Sequence, residues 1–493
     1  MTRQIIGRVY EQSKLEFALG SKEAEFIAVY GRRRVGKTYL IRNFFHENKD
    51  CIFLNISGIL NASLAVQLGE FHEEIHQTFG IYLGGVRLEK PKNWMDAFKN
   101  LTFALSLASN FLNSDEKKAE KKIVLFFDEF PWMATKKSKL LQALDYYWNK
   151  SWVDMPQVIL IICGSAASWI IKNILNNKRG LHNRITMRLP IKPFNLKETQ
   201  DFLKSRGVNY DPMQILQLYM AIGGIPYYLK SVEKGLSAIQ NIDQLCFKKE
   251  GTLLDEFKNL FSSLFNQSDM HEALVKLIGS KREGVNREEL EKTLNYVGGS
   301  LTNKLKELEE AGFIAKCAMQ GRTYGQYYKL VDEYSLFYLT WIAPGRLNSF
   351  EDMAGAAEFN TWAGYAFEAV CFKHLSNIRR ALHIKESTAA TSWRYIPKKK
   401  ENFNGAQIDL LFDRADGVIN LCEIKYSTSP YLIDKSYAAN LKNKIEAYQK
   451  ITKTTKQIFI SMISTLGLKE SMYSEELVSS EVKLEDLFKD ISE

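Results

Sequence analysis

Proline and glycine are scarce for so long a chain, 10 and 29 of 493 residues, which excludes a collagen-like or low-complexity polypeptide. The six cysteines, at positions 51, 163, 246, 317, 371 and 422, stand far apart with no C-x-x-C pair. Neither a zinc ribbon nor a disulfide framework is therefore expected, and buried reduced thiols account for them. No apolar run approaches the roughly 20 residues of a membrane span; the longest, such as Val158–Cys163, have the length of core strands. The opening MTRQIIGRVYEQSK lacks the apolar stretch of a signal peptide. These absences predict a soluble cytoplasmic chain with no membrane partner. Charge of one sign does not dominate either. With 66 basic against 57 acidic residues the net charge is +9, which permits contact with phosphates without demonstrating it.

What is present is an ordinary globular mixture, 45% hydrophobic and 25% charged, long enough for about three domains at roughly 150 residues each. The first half alternates short apolar runs with helix-period segments. Phe26–Tyr30, Cys51–Asn55, Ile123–Phe127 and Val158–Cys163 read as strands buried on both faces of a parallel sheet, a wound α/β core. From Pro190 to about Glu250 the character is helical alone. Between about Met270 and Trp341 the order changes again. A helix at Asn286–Leu294, a turn at Gly298–Gly299, and a helix capped by Ser300 with Leu301, Leu305 and Leu308 on one face lead to Gly312. Phe313–Lys316 and Gln326–Leu330 then read as a hairpin. Together these suggest a winged helix. From about Asp352 onward, mixed helix and strand imply a further α/β domain.

The most informative segment is Gly31-Arg32-Arg33-Arg34-Val35-Gly36-Lys37-Thr38, followed by Tyr39, between strand Phe26–Tyr30 and a helix-period stretch. It matches G-x-x-x-x-G-K-[ST] in the context that pattern requires. The glycines let backbone N–H groups turn inward onto phosphate oxygens, and the following helix adds its positive end. Lys37 is expected at the β- and γ-phosphates, with the Thr38 hydroxyl on Mg2+. Such a loop needs an acid at the end of a buried strand, and Asp128-Glu129 follows Ile123–Phe127. Asp128 is the expected Mg2+ partner, and Glu129 the residue that orients or deprotonates the attacking water. Adjacent Asp and Glu point to a hydrolysing NTPase of the additional-strand type. After Val158–Cys163, Gly164-Ser165 sets a hydroxyl on the same sheet edge, either a γ-phosphate sensor or an ordinary turn. Arg184 is either an arginine finger, in its own subunit or a neighbouring copy, or a surface arginine.

Ile6-Gly7-Arg8 with Glu11, YGRRRVGKT, Asp128-Glu129-Phe130-Pro131, CGSAASW and Gly223-Gly224-Ile225-Pro226-Tyr227 occur in one order. Together they resemble the archaeal-type AAA ATPases, of the STAND-like P-loop NTPases. The resemblance covers about the first half of the chain. It implies ATP as ligand, places Gly7-Arg8 near the adenine, and assigns Gly223–Tyr227, with Pro226, to a helical lid that closes on the nucleotide.

In the last domain, Gln407-Ile408-Asp409-Leu410-Leu411-Phe412 and Asn420-Leu421-Cys422-Glu423-Ile424-Lys425 flank a turn at Asp416-Gly417. Residues two apart share a strand face, so Glu423 and Lys425 project together. With Asp409 on that side, two carboxylates are candidate Mg2+ ligands, and the lysine steers water or stabilises charge. The D-x(13)-E-x-K arrangement resembles the PD-(D/E)xK nucleases, with Ile408 where a proline usually precedes the aspartate. The resemblance implies an acidic residue on the first helix, here Glu368. A salt-bridged surface pair is the alternative reading of Glu-x-Lys. Lys398-Lys399-Lys400 stands as either a phosphate-backbone contact or a solvated loop.

His72-Glu73-Glu74-Ile75-His76 matches H-E-x-x-H. Glu74 puts a charge where zinc-protease helices are uncharged, and no third ligand follows. These histidines are read as the polar face of a helix over roughly Leu64–Phe79. In the winged helix, Thr302, Asn303, Lys304 and Lys306 are candidates for a major groove, their positive potential diluted by Glu307, Glu309 and Glu310; the alternative is a packing spacer between ATPase and nuclease. The expected organisation is α/β. A P-loop NTPase parallel-sheet core spans 1–195, a helical lid 196–265, a winged helix 266–345 and a PD-(D/E)xK nuclease-like domain 350–493. Its expected activity is an ATPase whose nucleotide state controls a module acting on DNA, with a second copy of the chain as a further partner. The alternative is an ATP-dependent switch whose inactive nuclease fold binds DNA or protein.

Overall fold

The computed structural model describes residues 4–46, 48–114, 121–135, 137–165, 167–175, 181–265, 268–281, 284–318, 326–353, 355–395, 397 and 405–490. Contacts divide the chain into two compact units, Met1–Pro193 and Phe194–Glu493.

In the first unit the apolar runs become β1 (Glu25–Tyr30), β2 (Cys51–Ser57), β3 (Lys122–Asp128) and β4 (Val158–Gly164), each a residue or two longer than the sequence reading. A fifth strand, β5 (Met187–Pro190), completes a parallel sheet of order β2-β3-β4-β1-β5. It escapes the sequence reading because Leu189 is its one buried residue, so an edge strand this short presents no apolar run. Every residue of β3 and β4 is buried, as strands covered on both faces must be. β4 lies between β1 and β3, which is the additional-strand arrangement.

Helices Leu64–Leu83 and Trp94–Asn113 cover one face. They start at Ser63 and Asn93, whose side chains accept from the N–H groups of Val66 and Asp96. Phe71, Trp94, Phe98 and Phe127 interlock between them and the sheet at centroid separations of 5.3 to 6.2 Å. That packing corrects one expectation. His72 is not on a polar face: it is 6% exposed, its ring 4.6 Å from that of His76. Among the described residues no group of three metal-ligating side chains forms around it or elsewhere.

The second unit opens with helices Leu196–Ser205, Pro212–Ile222, Pro226–Leu229, Ala238–Cys246 and Glu256–Leu264. Helix Asp269–Gly279 follows, then β6 (Val285–Asn286), helices Arg287–Leu294 and Gly299–Glu310, β7 (Ile314–Ala318) and β8 (Gln326–Leu330). The three strands pair antiparallel in the order β6-β8-β7; the expected hairpin tip lies outside the described residues. Leu301, Leu305 and Leu308 are buried together as their spacing requires. Gly298 rather than Ser300 holds the N-cap position; the Ser300 hydroxyl instead meets the Tyr296 phenol.

Beyond helix Ala357–Lys373 come β9 (Ala390–Tyr395), β10 (Ala406–Asp413), β11 (Val418–Lys425), β12 (Tyr431–Leu432), helix Lys435–Thr452, β13 (Gln457–Ser464), β14 (Leu468–Lys469) and β15 (Val478–Lys483). Five of them form a mixed sheet of order β15-β13-β11-β10-β9, and β12 pairs with β14. β9, β10 and β11 are antiparallel neighbours, whereas β13 and β15 run parallel to β11.

One buried histidine ties this unit together. The Leu196 N–H, an orphan donor at a helix start, donates to His374 Nε2 at 3.0 Å. The proton therefore sits on Nδ1, which donates to the Val370 carbonyl at 2.8 Å. Burial pushes the imidazole down to about 4 from its ordinary 6.5. Its contribution to stability is complete above pH 6.5 and is lost as pH falls towards 4, at most about 3 kcal/mol. Urea unfolding at pH 7.5 and pH 5 should show that loss in the wild type and a flatter dependence in His374→Gln.

Candidate nucleotide site

Residues 31–36 leave β1 and turn into helix Lys37–Phe45. Gly31 has φ +151°, and a Cβ there would lie 2.2 Å from the Ile191 carbonyl oxygen; Gly36 holds the N-cap position at φ 91°. Neither position accepts a side chain without strain. Lys37 folds back along the loop, and its Nζ donates to the carbonyls of Gly31 and Arg32 at 2.9 Å each. At 5% exposure, burial lowers its pKa while Glu129 and Asp128 raise it. An ammonium so placed has the length and charge to meet the far end of a polyphosphate that enters the loop.

Arg32 and Val35 are buried, Arg33 is exposed, and Arg34 adopts φ 68°. Tyr39 is exposed, its phenol 3.4 Å from the Gln4 carbonyl. Arg8 reaches the loop from its other side, donating to the Val35 carbonyl at 3.0 Å and pairing with Glu11 at 3.3 Å.

Four further predicted residues meet at the carboxyl edge of the sheet. Thr38 Oγ1 donates to Asp128 Oδ2 at 2.8 Å. This hydroxyl–carboxylate pair is an oxygen donor set suited to Mg2+. Glu129 follows in the left-handed region at φ 44°, its N–H bonded to Asp128 Oδ1 at 3.0 Å. The turn carries its carboxylate sideways to the end of β4, where Ser165 Oγ donates to both oxygens at 2.9 and 3.0 Å and its N–H to one at 3.2 Å. A backbone outlier at such a position is the kind of strain that functional sites hold.

Arg184 requires a correction. Thr186 bonds to Phe26 at the start of β1, whereas the loop leaves the end of that strand, about 16 Å away at the usual rise. Arg184 is exposed on the edge opposite the loop, so it does not serve the loop of its own subunit. Pro226 opens the short helix Pro226–Leu229 of the second unit.

In that second unit Leu410 faces Cys422, which sets Asp409 beside the Glu423–Lys425 end of β11. Asp409 Oδ2 accepts the Ile424 N–H at 3.1 Å. Glu368, on helix Ala357–Lys373, joins the cluster electrostatically. Burial together with Asp409 and Glu423 pushes its carboxyl up to about 7, against the pull of Lys329 and Lys425.

Sequence reasoning missed two members. Lys444 Nζ contacts both Glu423 oxygens at 2.6 and 2.7 Å, and the Tyr437 phenol donates to Glu423 at 2.9 Å, whereas Lys425 stands 3.9 Å off. Their seven-residue spacing puts both on one face of helix Lys435–Thr452, which was the available signal. A glutamate 2% exposed with both oxygens engaged does not fit the Mg2+ role expected of Glu423 beside Asp409. Lys398, Lys399 and Lys400 lie outside the described residues.

Residues 6–232 match the family model described as an ATPase domain predominantly from Archaea. Uncharacterized protein MJECL04 of Methanocaldococcus jannaschii is 24% identical over 388 residues, 76% of this chain and 78% of the relative. Among solved structures, the Walker-type ATPase PABY2304 of Pyrococcus abyssi is 18% identical with a TM-score of 0.45, covering 68% of this chain and 96% of its own. The ORC2 protein of Aeropyrum pernix, in ADPNP and ADP complexes, is 14% identical with a TM-score of 0.41, over 68% and 94%.

Proposed function

From an archaeal-type ATPase domain over residues 6–232, we propose that the protein binds ATP with Mg2+ at residues 31–39 and hydrolyses it, and that its nucleotide state governs a nucleic-acid module in residues 194–493. The carrying observation is the convergence of Thr38, Asp128, Glu129 and Ser165 beside the glycine loop. Thr38 and Asp128 would hold the ion, which would supply positive charge against that developing on the phosphates. Lys37 exchanges its carbonyl partners for phosphate oxygens. Glu129 orients and deprotonates water, with Ser165 keeping its carboxylate aimed.

The three helices with the β6-β8-β7 sheet support a winged-helix reading, and helix Ala357–Lys373 with β9, β10 and β11 supports a PD-(D/E)xK-like one. DNA is the target both suggest. The engagement of Glu423 by Lys444 favours an inactive nuclease fold that binds over one that cuts. Arg184, exposed, remains available to a neighbouring copy. Among the described residues no helix is long and apolar enough to cross a membrane.

The test is DNA affinity of the Glu129→Gln chain, which should retain ATP, with ATP–Mg2+ and with ADP–Mg2+. A difference of about fivefold or more is expected for coupled sites. Equal affinities would reject the coupling, and no binding in either state would reject the nucleic-acid target.

A further inference from the structure

Within the second unit a cavity of about 330 Å³ opens between β8, helix Ala357–Lys373 and β9. Its volume falls at the lower end of small-molecule sites, about 300–1,000 Å³. Glu368 lies on its wall, so the cavity borders the carboxylate cluster.

Three wall residues carry buried polar atoms with no partner among the described residues: Thr391 Oγ1, Ser392 Oγ, in a side chain 7% exposed, and Trp362 Nε1, in one 4% exposed. Leaving such a group unpaired costs about 1–3 kcal/mol, so each marks a place where a hydrogen-bonding guest is favoured. The lysines of the wall differ in commitment. Lys316 is paired with Glu309 at 2.9 Å and Lys373 with Glu333 at 2.7 Å. Lys329 has no acid within ion-pair distance among the described residues; its Nζ stands 5.7 Å from the Phe372 ring centroid. The wall thus offers a cation, a hydroxyl, an indole N–H and aromatic surface from Phe372 and Tyr365.

That combination matches one nucleotide unit. A planar base stacks on aromatic rings at about 1–3 kcal/mol, its edge takes the hydroxyl and the N–H, and a phosphate takes the ammonium. We propose that this cavity binds a nucleoside monophosphate unit, base towards Ser392 and Trp362 and phosphate towards Lys329. The unit is either free or the end of a strand. The proposal deepens the nucleic-acid reading of residues 194–493 and rests on it.

The test is calorimetric titration of the full chain in EDTA with deoxynucleoside 5′-monophosphates, which lack the phosphates Lys37 would grip, and with 5′-phosphorylated trinucleotides. Binding is expected, weakened about fivefold or more in Ser392→Ala, which removes the hydroxyl and adds no atom, and lost in Ala369→Trp, which fills the cavity. Tighter binding of the trinucleotide identifies a strand end, and equal or preferred binding of the monophosphate identifies a free nucleotide; both support the site. No binding of either ligand by the wild type overturns it, as does unchanged binding in Ser392→Ala, which decides the matter should Ala369→Trp not fold. Monophosphate binding without any DNA binding by the same chain would reject the nucleic-acid reading and leave the site standing. DNA binding without monophosphate or trinucleotide binding would reject the site alone.

Discussion

Lys37→Ala should lower steady-state phosphate release from ATP by about a thousandfold, at the upper end of what a single preorganised charge contributes at a transition state. The ammonium group is 5% exposed and held by two loop carbonyls at 2.9 Å, so it is positioned before any phosphate arrives and needs little reorganisation. Alanine removes the charge and leaves the carboxylates of Asp128 and Glu129, which favour a positive group there, as the neighbouring charges. The loop itself should survive, since its shape is set by Gly31 and Gly36. Equal turnover by variant and wild type, measured by phosphate release, would reject the assignment of this loop.

Lys444→Met should destabilise residues 194–493 by about 3–5 kcal/mol, the usual consequence of removing one partner of a buried ion pair. Glu423 is 2% exposed and takes two short contacts from Lys444. Without them, the Tyr437 phenol at 2.9 Å and the distant Lys425 are left to offset a buried charge. Burial and the neighbouring Asp409 already raise the Glu423 pKa, with Lys444 opposing them. The unpaired carboxyl of the variant should therefore take up a proton more readily, and its deficit should shrink as pH falls. Lys425→Met, at a side chain 28% exposed and 3.9 Å away, should cost under about 1 kcal/mol. Urea unfolding of the three chains at pH 8 and pH 5 measures this. Similar losses in the two variants would mean that Lys444 is not the principal partner of Glu423.

The nucleotide loop was legible because its chemistry dictates residue type and order: small residues where the backbone turns, a lysine, then a hydroxyl, between a strand and a helix. Asp128 and Glu129 were legible for the same reason, as acids ending a wholly apolar strand. Other features depend on topology. The sequence names Arg184 but not its sheet edge, and that edge is fixed by the pairing of β5 with β1, a strand too short to leave an apolar signature. His72 looked like a surface residue because its helix is mixed in composition; packing of that helix against Trp94–Asn113 and the sheet buries it. Lys444 stands 21 residues beyond Glu423 in sequence. The E-x-K spacing singled out Lys425, two residues away on the same strand, while the closer partner came from the next helix. Local spacing therefore identified the carboxylate but selected the weaker of its two lysines.

The central claim is that this loop holds ATP for in-line attack by a water that Glu129 activates. Its most direct measurement is retention of labelled ATP by Glu129→Gln on a filter with Mg2+ in excess, alongside its phosphate release. Stoichiometric retention with turnover reduced about a hundredfold or more is the predicted result. A chain that retains no ATP, or one that hydrolyses it at the wild-type rate, would contradict the account.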